Sequence, residues 1–127
     1  MVLNGGHIYA GHGHGAGAPI CIDFEAGKIV WKAEQPGGGS AGIVFADGRL
    51  YFRYEDGVVA LVEASPEGYR LKGKFQTPKG SGPAWPHPVI AGGKLYLRWA
   101  DILLCYDVRA GKEGGAGAAG GKGRLAP

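Results

Sequence analysis

Two histidines in a glycine-rich segment are the residues of this chain best suited to bind a metal. His12 and His14 alternate with glycines over residues 11–15. Together with His7 or His87, they can place imidazole nitrogens around a transition metal. However, no Cys, Asp or Glu stands at a spacing diagnostic of a metal site, and the flanking glycines do not preorganise one. A solvated loop is therefore the favoured interpretation, and metal binding by His12 and His14 is the alternative.

Two arginines occupy equivalent places in neighbouring repeats. Arg53 and Arg98 each precede an aspartate by three residues, Asp56 and Asp101. One interpretation is an ion pair across each turn, which contributes only about 0–1 kcal/mol when exposed. The other is a ring of arginines that binds an anionic ligand. The first is favoured, because only two of the three repeats carry the arginine.

The aromatic segment Trp85-Pro86-His87-Pro88 also has two interpretations. Trp85 can present its ring to a peptide or a sugar, or it can pack between neighbouring sheets. A large aromatic side chain buries about 150–250 Å², so we favour packing for Trp85, and likewise for Trp31. The sequence contains no Ser/His/Asp arrangement, nucleophile elbow or paired-carboxylate motif, which favours a protein that is not an enzyme.

The elements that position these residues come from a repeat. Tyr9, Tyr51 and Tyr96 follow glycine turns and recur at intervals of 42 and 45 residues. Such spacing is typical of solenoids, propellers or arrays. Short apolar runs separated by turn signals predict an all-β fold. In each repeat they predict an antiparallel meander of four strands, A to D, and separate meanders favour a β-propeller over a sandwich.

The expected organisation is a partial β-propeller over residues 1–111, followed by a tail over 112–127. The blades are predicted at about 2–36, 42–76 and 86–110, and the last is expected to lack its outermost strand D. The Gly/Ala-rich tail is expected to be disordered, since it cannot bury enough apolar surface to order itself. Propellers have typically 4–8 blades, so three blades predict a piece of a larger ring.

The meander geometry predicts where binding occurs. Strands alternate in direction, so B–C turns and D–A crossovers lie on one face, which we call the loop face. This face is expected to bind a protein or small-molecule ligand, because loops on a rigid scaffold are where binding concentrates. The candidate binding residues are His12, His14, Arg53, Trp85, His87 and Arg98.

Composition excludes several classes of partner. The net charge is +3, from 14 basic and 11 acidic residues that form no basic block, so nucleic acid is not an expected partner. No apolar run approaches the roughly 20 residues of a membrane span. Met1 leads directly into repeat material, so we expect no signal peptide within this sequence. Cys21 and Cys105 occupy equivalent repeat positions, and we expect buried thiols rather than a disulfide.

Specific motifs resemble a known family. Asp23-Phe-Glu-Ala-Gly27-Lys28-Ile-Val-Trp31 resembles the D-x-x-T-G-K-x-x-W signature of pyrroloquinoline-quinone-like (PQQ-like) β-propeller repeats. Residues 48–52 and 93–97 resemble that family's G-x-v-Y-v strand. The resemblance covers about residues 2–112, although Val62 replaces the signature Asp in the second repeat. It implies an eight-bladed ring, similar to the propeller lipoprotein of outer-membrane assembly, and a periplasmic or secreted location.

The resemblance also implies partners and alternatives. The partners are the missing N-terminal blades of the same propeller or a second copy. The expected function is a non-catalytic binding or scaffold module in the cell envelope or outside the cell, with no cofactor. The alternative is a fragment of a PQQ-dependent dehydrogenase, which requires PQQ, calcium, a catalytic Asp and, in many members, adjacent cysteines. No adjacent cysteines occur in the sequence.

Overall fold

A computed structural model describes residues 1–82 and 84–109, together with the backbone of 124–125. These residues form strands and turns with no helix, so the predicted all-β class is confirmed. None of the described segments is a helix long and apolar enough to cross a membrane. The predicted disordered tail, 112–127, lies outside the described residues apart from Arg124–Leu125.

Three antiparallel sheets follow one another along the chain, each a meander, and no sheet closes on itself. The first consists of β1 (Val2–Asn4), β2 (His7–His12), β3 (Ala18–Asp23) and β4 (Ile29–Lys32). The second consists of β5 (Ala41–Ala46), β6 (Arg49–Tyr54), β7 (Val58–Glu63) and β8 (Leu71–Gln76). The third consists of β9 (Val89–Ala91), β10 (Lys94–Trp99) and β11 (Ile102–Asp107).

Tight turns with left-handed backbone join strands A and B. Asp47 and Gly48 have φ of 50° and 74°, and Gly92 and Gly93 have φ of 58° and 76°. Such paired positive φ values belong to two-residue hairpin turns whose twist matches that of the flanking strands. These turns fix the pairing of Ala46 with Arg49, and hence which side of each sheet a residue faces.

The second sheet is buried on both of its faces. Leu50, Phe52 and Tyr54 of β6 belong to an apolar cluster shared with Tyr9 and Cys21 of the first sheet. Tyr51, which lies between Leu50 and Phe52 in the strand, belongs to a second apolar cluster. The third sheet contributes four residues to this second cluster: Leu95, Leu97, Leu104 and Tyr106. Because side chains alternate along a strand, β6 contacts both neighbouring sheets at once.

The aromatic residue that ends strand B packs against glycines of the preceding loops. The ring of Tyr54, at the end of β6, packs directly on Gly17 and Gly37, where a Cβ atom would lie only 2.9 and 2.5 Å from it. The ring of Trp99, at the equivalent place in β10, packs in the same way on Gly57 and Gly80, where a Cβ atom would lie 2.5 and 2.8 Å from it. We call these the aromatic–glycine contacts.

Hydrogen bonds fix both aromatic rings at these contacts. The hydroxyl of Tyr54 donates to the carbonyl of Gly17 at 2.7 Å. The indole Nε1 of Trp99 donates to the carbonyl of Gly82 at 2.6 Å. An aromatic ring packed on glycines therefore occurs twice, once between the first two sheets and once between the last two. Its hydrogen bond anchors the β2–β3 loop in the first case and the β8–β9 crossover in the second.

The outer edge of the third sheet differs from the expectation that strand D is missing. After β11, the described residues 108–109 are not in a strand. The backbone of Arg124–Leu125, β12, instead pairs antiparallel with Leu104 and Cys105. An unpaired edge leaves backbone donors and acceptors unsatisfied, and these two residues of the tail satisfy part of that edge.

Replacing the contact glycines tests the packing of the three sheets. Neither Gly37 nor Gly80 has a positive φ, so alanine there adds crowding without backbone strain. We expect Gly37→Ala and Gly80→Ala each to lower the free energy of unfolding by about 1–3 kcal/mol, as measured by urea denaturation.

Gly73→Ala is the matched control for this experiment. Gly73 lies in β8, and a Cβ there meets nothing within 4 Å. Alanine at this position should leave stability unchanged or raise it slightly, because glycine within a strand costs conformational entropy. Equal stability of all three variants would contradict the aromatic–glycine contacts.

Candidate binding face

One carboxylate joins three loops of the loop face. Glu55 lies in the turn between β6 and β7. Its Oε2 accepts hydrogen bonds from the backbone N and the Oγ of Ser40, at 2.7 and 2.8 Å. Its Oε1 accepts a hydrogen bond from the indole Nε1 of Trp85 at 2.5 Å. The turn of the second sheet is thereby linked to the crossover that precedes that sheet and to the one that follows it.

The neighbouring Asp56 strengthens the link to the first crossover. Its Oδ2 accepts from the backbone N of Gly38 at 2.7 Å, and its Oδ1 accepts from the backbone N of Val58 at 3.0 Å. Its own backbone N donates to the carbonyl of Gly38 at 3.3 Å. Asp56 therefore binds backbone amides, where the sequence suggested an ion pair with Arg53.

Trp85 lies on the surface, and the prediction that it packs between sheets is wrong. Its side chain is 68% exposed, and its hydrogen bond to Glu55 fixes the orientation of the ring. An exposed aromatic ring with a fixed polar end is suited to stacking on a ligand. Trp31, by contrast, does pack, since it lies against the apolar cluster between the first two sheets and its Nε1 donates to Ser65.

The histidines are spread over the loop face. His12 ends β2 and is half-buried, His14 is exposed in the following turn, and His87 is exposed beside Gly42 of β5. In the part of the chain that the structure describes, no three His, Cys, Asp or Glu side chains come together as metal ligands. Metal binding by His12 and His14 stays a prediction.

The two equivalent arginines have opposite environments. Arg98 is exposed, and its Nε donates to the carbonyl of Ala100 at 2.8 Å. Arg53 is only 1% exposed, so its assignment to an exposed binding face is wrong. Arg53 is buried because the odd-numbered side chains of β6 face the third sheet. Arg98 is exposed because its side of the third sheet is not covered by another described sheet.

The buried guanidinium of Arg53 makes two defined contacts, but part of its hydrogen-bonding capacity is unused. Its Nη1 donates to the carbonyl of Arg98 at 3.1 Å, and its guanidinium carbon lies 5.4 Å from the ring centroid of Trp99. A cation over an aromatic face is stabilised by about 0.5–2 kcal/mol. Its Nε and Nη2, and the hydroxyl of Tyr106, are buried without a hydrogen-bond partner among the described residues.

Burial shifts the pKa of both groups without changing their charge at neutral pH. It lowers the pKa of Arg53, because a low-dielectric environment disfavours the charged form. It raises the pKa of Tyr106 for the same reason, while the positive charge of Arg53 acts in the opposite direction. The guanidinium stays charged in proteins, and Tyr106 stays a neutral phenol at neutral pH.

Sequence reasoning missed the residues that organise this region. The sequence places Glu55 on the loop face but indicates no role for it, because a carboxylate in a turn has no diagnostic spacing. It places Tyr54, Trp99 and Tyr106 in strands without indicating a specific role. One signal is available: His12, Tyr54 and Trp99 are the last residues of the three B strands, so the aromatic residue ending each later strand recurs with the repeat.

Comparisons with known proteins identify no family for this chain. A scan against protein-family models finds no match, and a search of curated proteins finds none either. The resemblance to PQQ-like repeats therefore stays a prediction.

The link between Glu55 and Trp85 predicts a pH dependence. Hydrogen bonds, first from Trp85 and then from Ser40, lower the pKa of Glu55 below its ordinary value of 4.5. Because the folded-state pKa is depressed, the contact contributes fully above pH 4.5 and is lost as pH falls through the folded-state pKa. We expect the indole N–H resonance of Trp85 in a ¹⁵N NMR spectrum to shift over that acidic range.

The indole resonances of Trp31 and Trp99 are internal controls, because each donates to a backbone carbonyl that does not titrate. In the Glu55→Gln variant, which keeps an acceptor oxygen but has no titratable proton, the Trp85 shift should disappear. A Trp85 resonance that titrates identically in the variant would show that another group is responsible.

Proposed function

We propose that the three sheets are blades of a β-propeller and that the chain is a non-catalytic scaffold module with a binding surface on its loop face. The repeated aromatic–glycine contact is the observation that carries this proposal. Tyr54 and Trp99 make the same contact with the preceding sheet's loops. Repetition of one interface between successive four-stranded meanders is what radial blade packing requires.

The outer faces of the first and third sheets support the same proposal. Leu3 and Ile29 lie on the first sheet's face away from the second sheet, and they are 60% and 56% exposed. Val89, on the third sheet's outward face, is 54% exposed and pairs with Tyr96. In the first sheet, Ile8 and Ile22 lie between Leu3 and Ile29, so the four side chains form one apolar row across that face. A contiguous apolar row of this kind marks an interaction surface.

The two outer faces are also complementary. The outer face of the first sheet is equivalent to the faces with which the second and third sheets contact the preceding sheet. The outer face of the third sheet is equivalent to the faces with which the first and second sheets contact the following sheet. Further blades of this type therefore fit both ends. Two copies of the chain supply six blades, within the typical range of 4–8.

Trp85 and Glu55 define the binding surface in this proposal. The ring is exposed, its orientation is fixed by a carboxylate, and that carboxylate is itself held by Ser40. A PQQ-dependent dehydrogenase fragment stays an alternative prediction, and the contacts among the described residues do not favour it. A periplasmic or secreted location is proposed only from the sequence resemblance.

Sedimentation of the isolated chain tests whether the outer faces are blade interfaces. We expect a particle of twice the 13.1 kDa chain mass, with a compact, ring-like profile in small-angle X-ray scattering. The double variant Leu3→Glu/Ile29→Glu should dissociate it, because charges placed on a buried apolar surface are costly.

Leu71→Glu is the control variant. Leu71 is an exposed apolar residue of β8, the outermost strand of the second sheet, and it lies on neither outer face. This variant should assemble as the parent chain does. A monomeric parent chain, or assembly that all variants share equally, would contradict the proposal.

A further inference from the structure

The contact between the second and third sheets contains a charge without a counter-charge among the described residues. Arg53 is 1% exposed. The ion pairs of the described part of the chain involve Arg70 and Arg109, not Arg53. An isolated buried charge is strongly destabilising unless it is paired and hydrogen-bonded. The fold therefore requires an explanation for how this guanidinium is tolerated.

The atoms without partners at this place are suited to donating hydrogen bonds. Arg53 contributes Nε–H and an Nη2–H group, and Tyr106 contributes a hydroxyl. Tyr106 does not supply the missing negative charge, because burial raises its pKa and keeps the phenol neutral. Tyr106 faces the row of the second sheet that contains Arg53. Arg53 pairs with Val59, and Val59 pairs with Phe75. The ring centroid of Phe75 lies 5.0 Å from that of Tyr106. Donors of this kind around a positive charge are complementary to an anion.

The surrounding side chains restrict the size of the ligand. Trp99 covers one side of the guanidinium and is 4% exposed, and Tyr106 is fully buried. Arg53 is also held in place, because its Nη1 donates to the carbonyl of Arg98. A polyatomic anion or a ligand with an organic body would need to displace these groups. A monatomic anion is the smallest ligand that can accept hydrogen bonds from these donors.

We propose that Arg53 and Tyr106 form a binding site for a single halide ion, chloride in a cell, between the second and third sheets. The ion accepts hydrogen bonds from Nε and Nη2 of Arg53 and from the hydroxyl of Tyr106, and it neutralises the buried guanidinium. The site is structural: it connects β6 of the second sheet to β11 of the third. It does not depend on the propeller assignment, because it needs only these two neighbouring sheets.

The melting temperature of the full chain in different sodium salts tests this site. At constant ionic strength, replacing gluconate by chloride or bromide should raise the melting temperature by about 3–6 °C, since a ligand that binds only the folded state stabilises it. Sulfate stabilises folded proteins without a specific site, because it is excluded from their surface, so any increase that it causes should be the same in the parent chain and in an Arg53→Met variant. A melting temperature in chloride and bromide no higher than in gluconate would overturn the proposal.

Two variants assign the effect to the site. Arg53→Met removes the charge while keeping a long side chain, and it should abolish the difference between halide and gluconate. Arg98→Met is the matched control, because Arg98 is exposed at the equivalent position of the third sheet, and it should keep the full halide effect. A halide effect that survives in Arg53→Met would contradict the site.

Bromide diffraction keeps the proposal testable if Arg53→Met does not fold. Crystals of the parent chain grown in bromide should show an anomalous peak within hydrogen-bonding distance of Arg53 Nη2. Tyr106→Phe, which removes only the hydroxyl, should weaken that peak and reduce the halide effect on the melting temperature. Bromide peaks at surface positions alone, with water beside Arg53, would show that no halide site exists.

Discussion

The two-sided burial of the second sheet is the constraint on which the rest of the structure depends. Every side chain of β6 after Arg49 is buried, so both of its faces must be covered by other sheets. Alternation along the strand assigns Phe52 and Tyr54 to one neighbour and Tyr51 and Arg53 to the other. This single strand therefore fixes the order of the three sheets and places a charged residue where a purely apolar contact would be simpler.

The loop face follows from the same packing. Tyr54 and Trp99 end their strands at the level of the loops, and their rings require glycine beneath them and a glycine carbonyl to accept their hydrogen bonds. These contacts hold the crossovers close to the turn that contains Glu55. Once that turn is fixed, Glu55 can bind Ser40 on one side and Trp85 on the other. The position of Glu55, and with it the hydrogen bond that orients Trp85, is thus a consequence of how the sheets pack.

The sequence predicted the strands and their sheets well, because turn residues and alternating apolar residues are local signals. It predicted side-chain environments poorly where these depend on the neighbouring sheet. Arg53 and Arg98 occupy equivalent positions in the repeat, yet Arg53 is buried against Trp99 and Arg98 is exposed. Trp85 looks like a packing residue, yet its ring is exposed and its Nε1 donates to Glu55. The pairing of Arg124–Leu125 with β11 is a contact distant in sequence that composition could not indicate.

Native-state hydrogen exchange tests the central claim most directly, because the inner strands of all three sheets form similar backbone ladders and differ mainly in burial. If the second sheet is covered on both faces, amides of β6 and β7 should exchange only through global unfolding. In the Leu3→Glu/Ile29→Glu variant, whose outer faces are not covered by a second copy, amides of β2 and β10 should exchange through smaller openings with lower free energy. Equal protection across β2, β6 and β10 in that variant, or faster exchange in β6, would contradict the stacked arrangement.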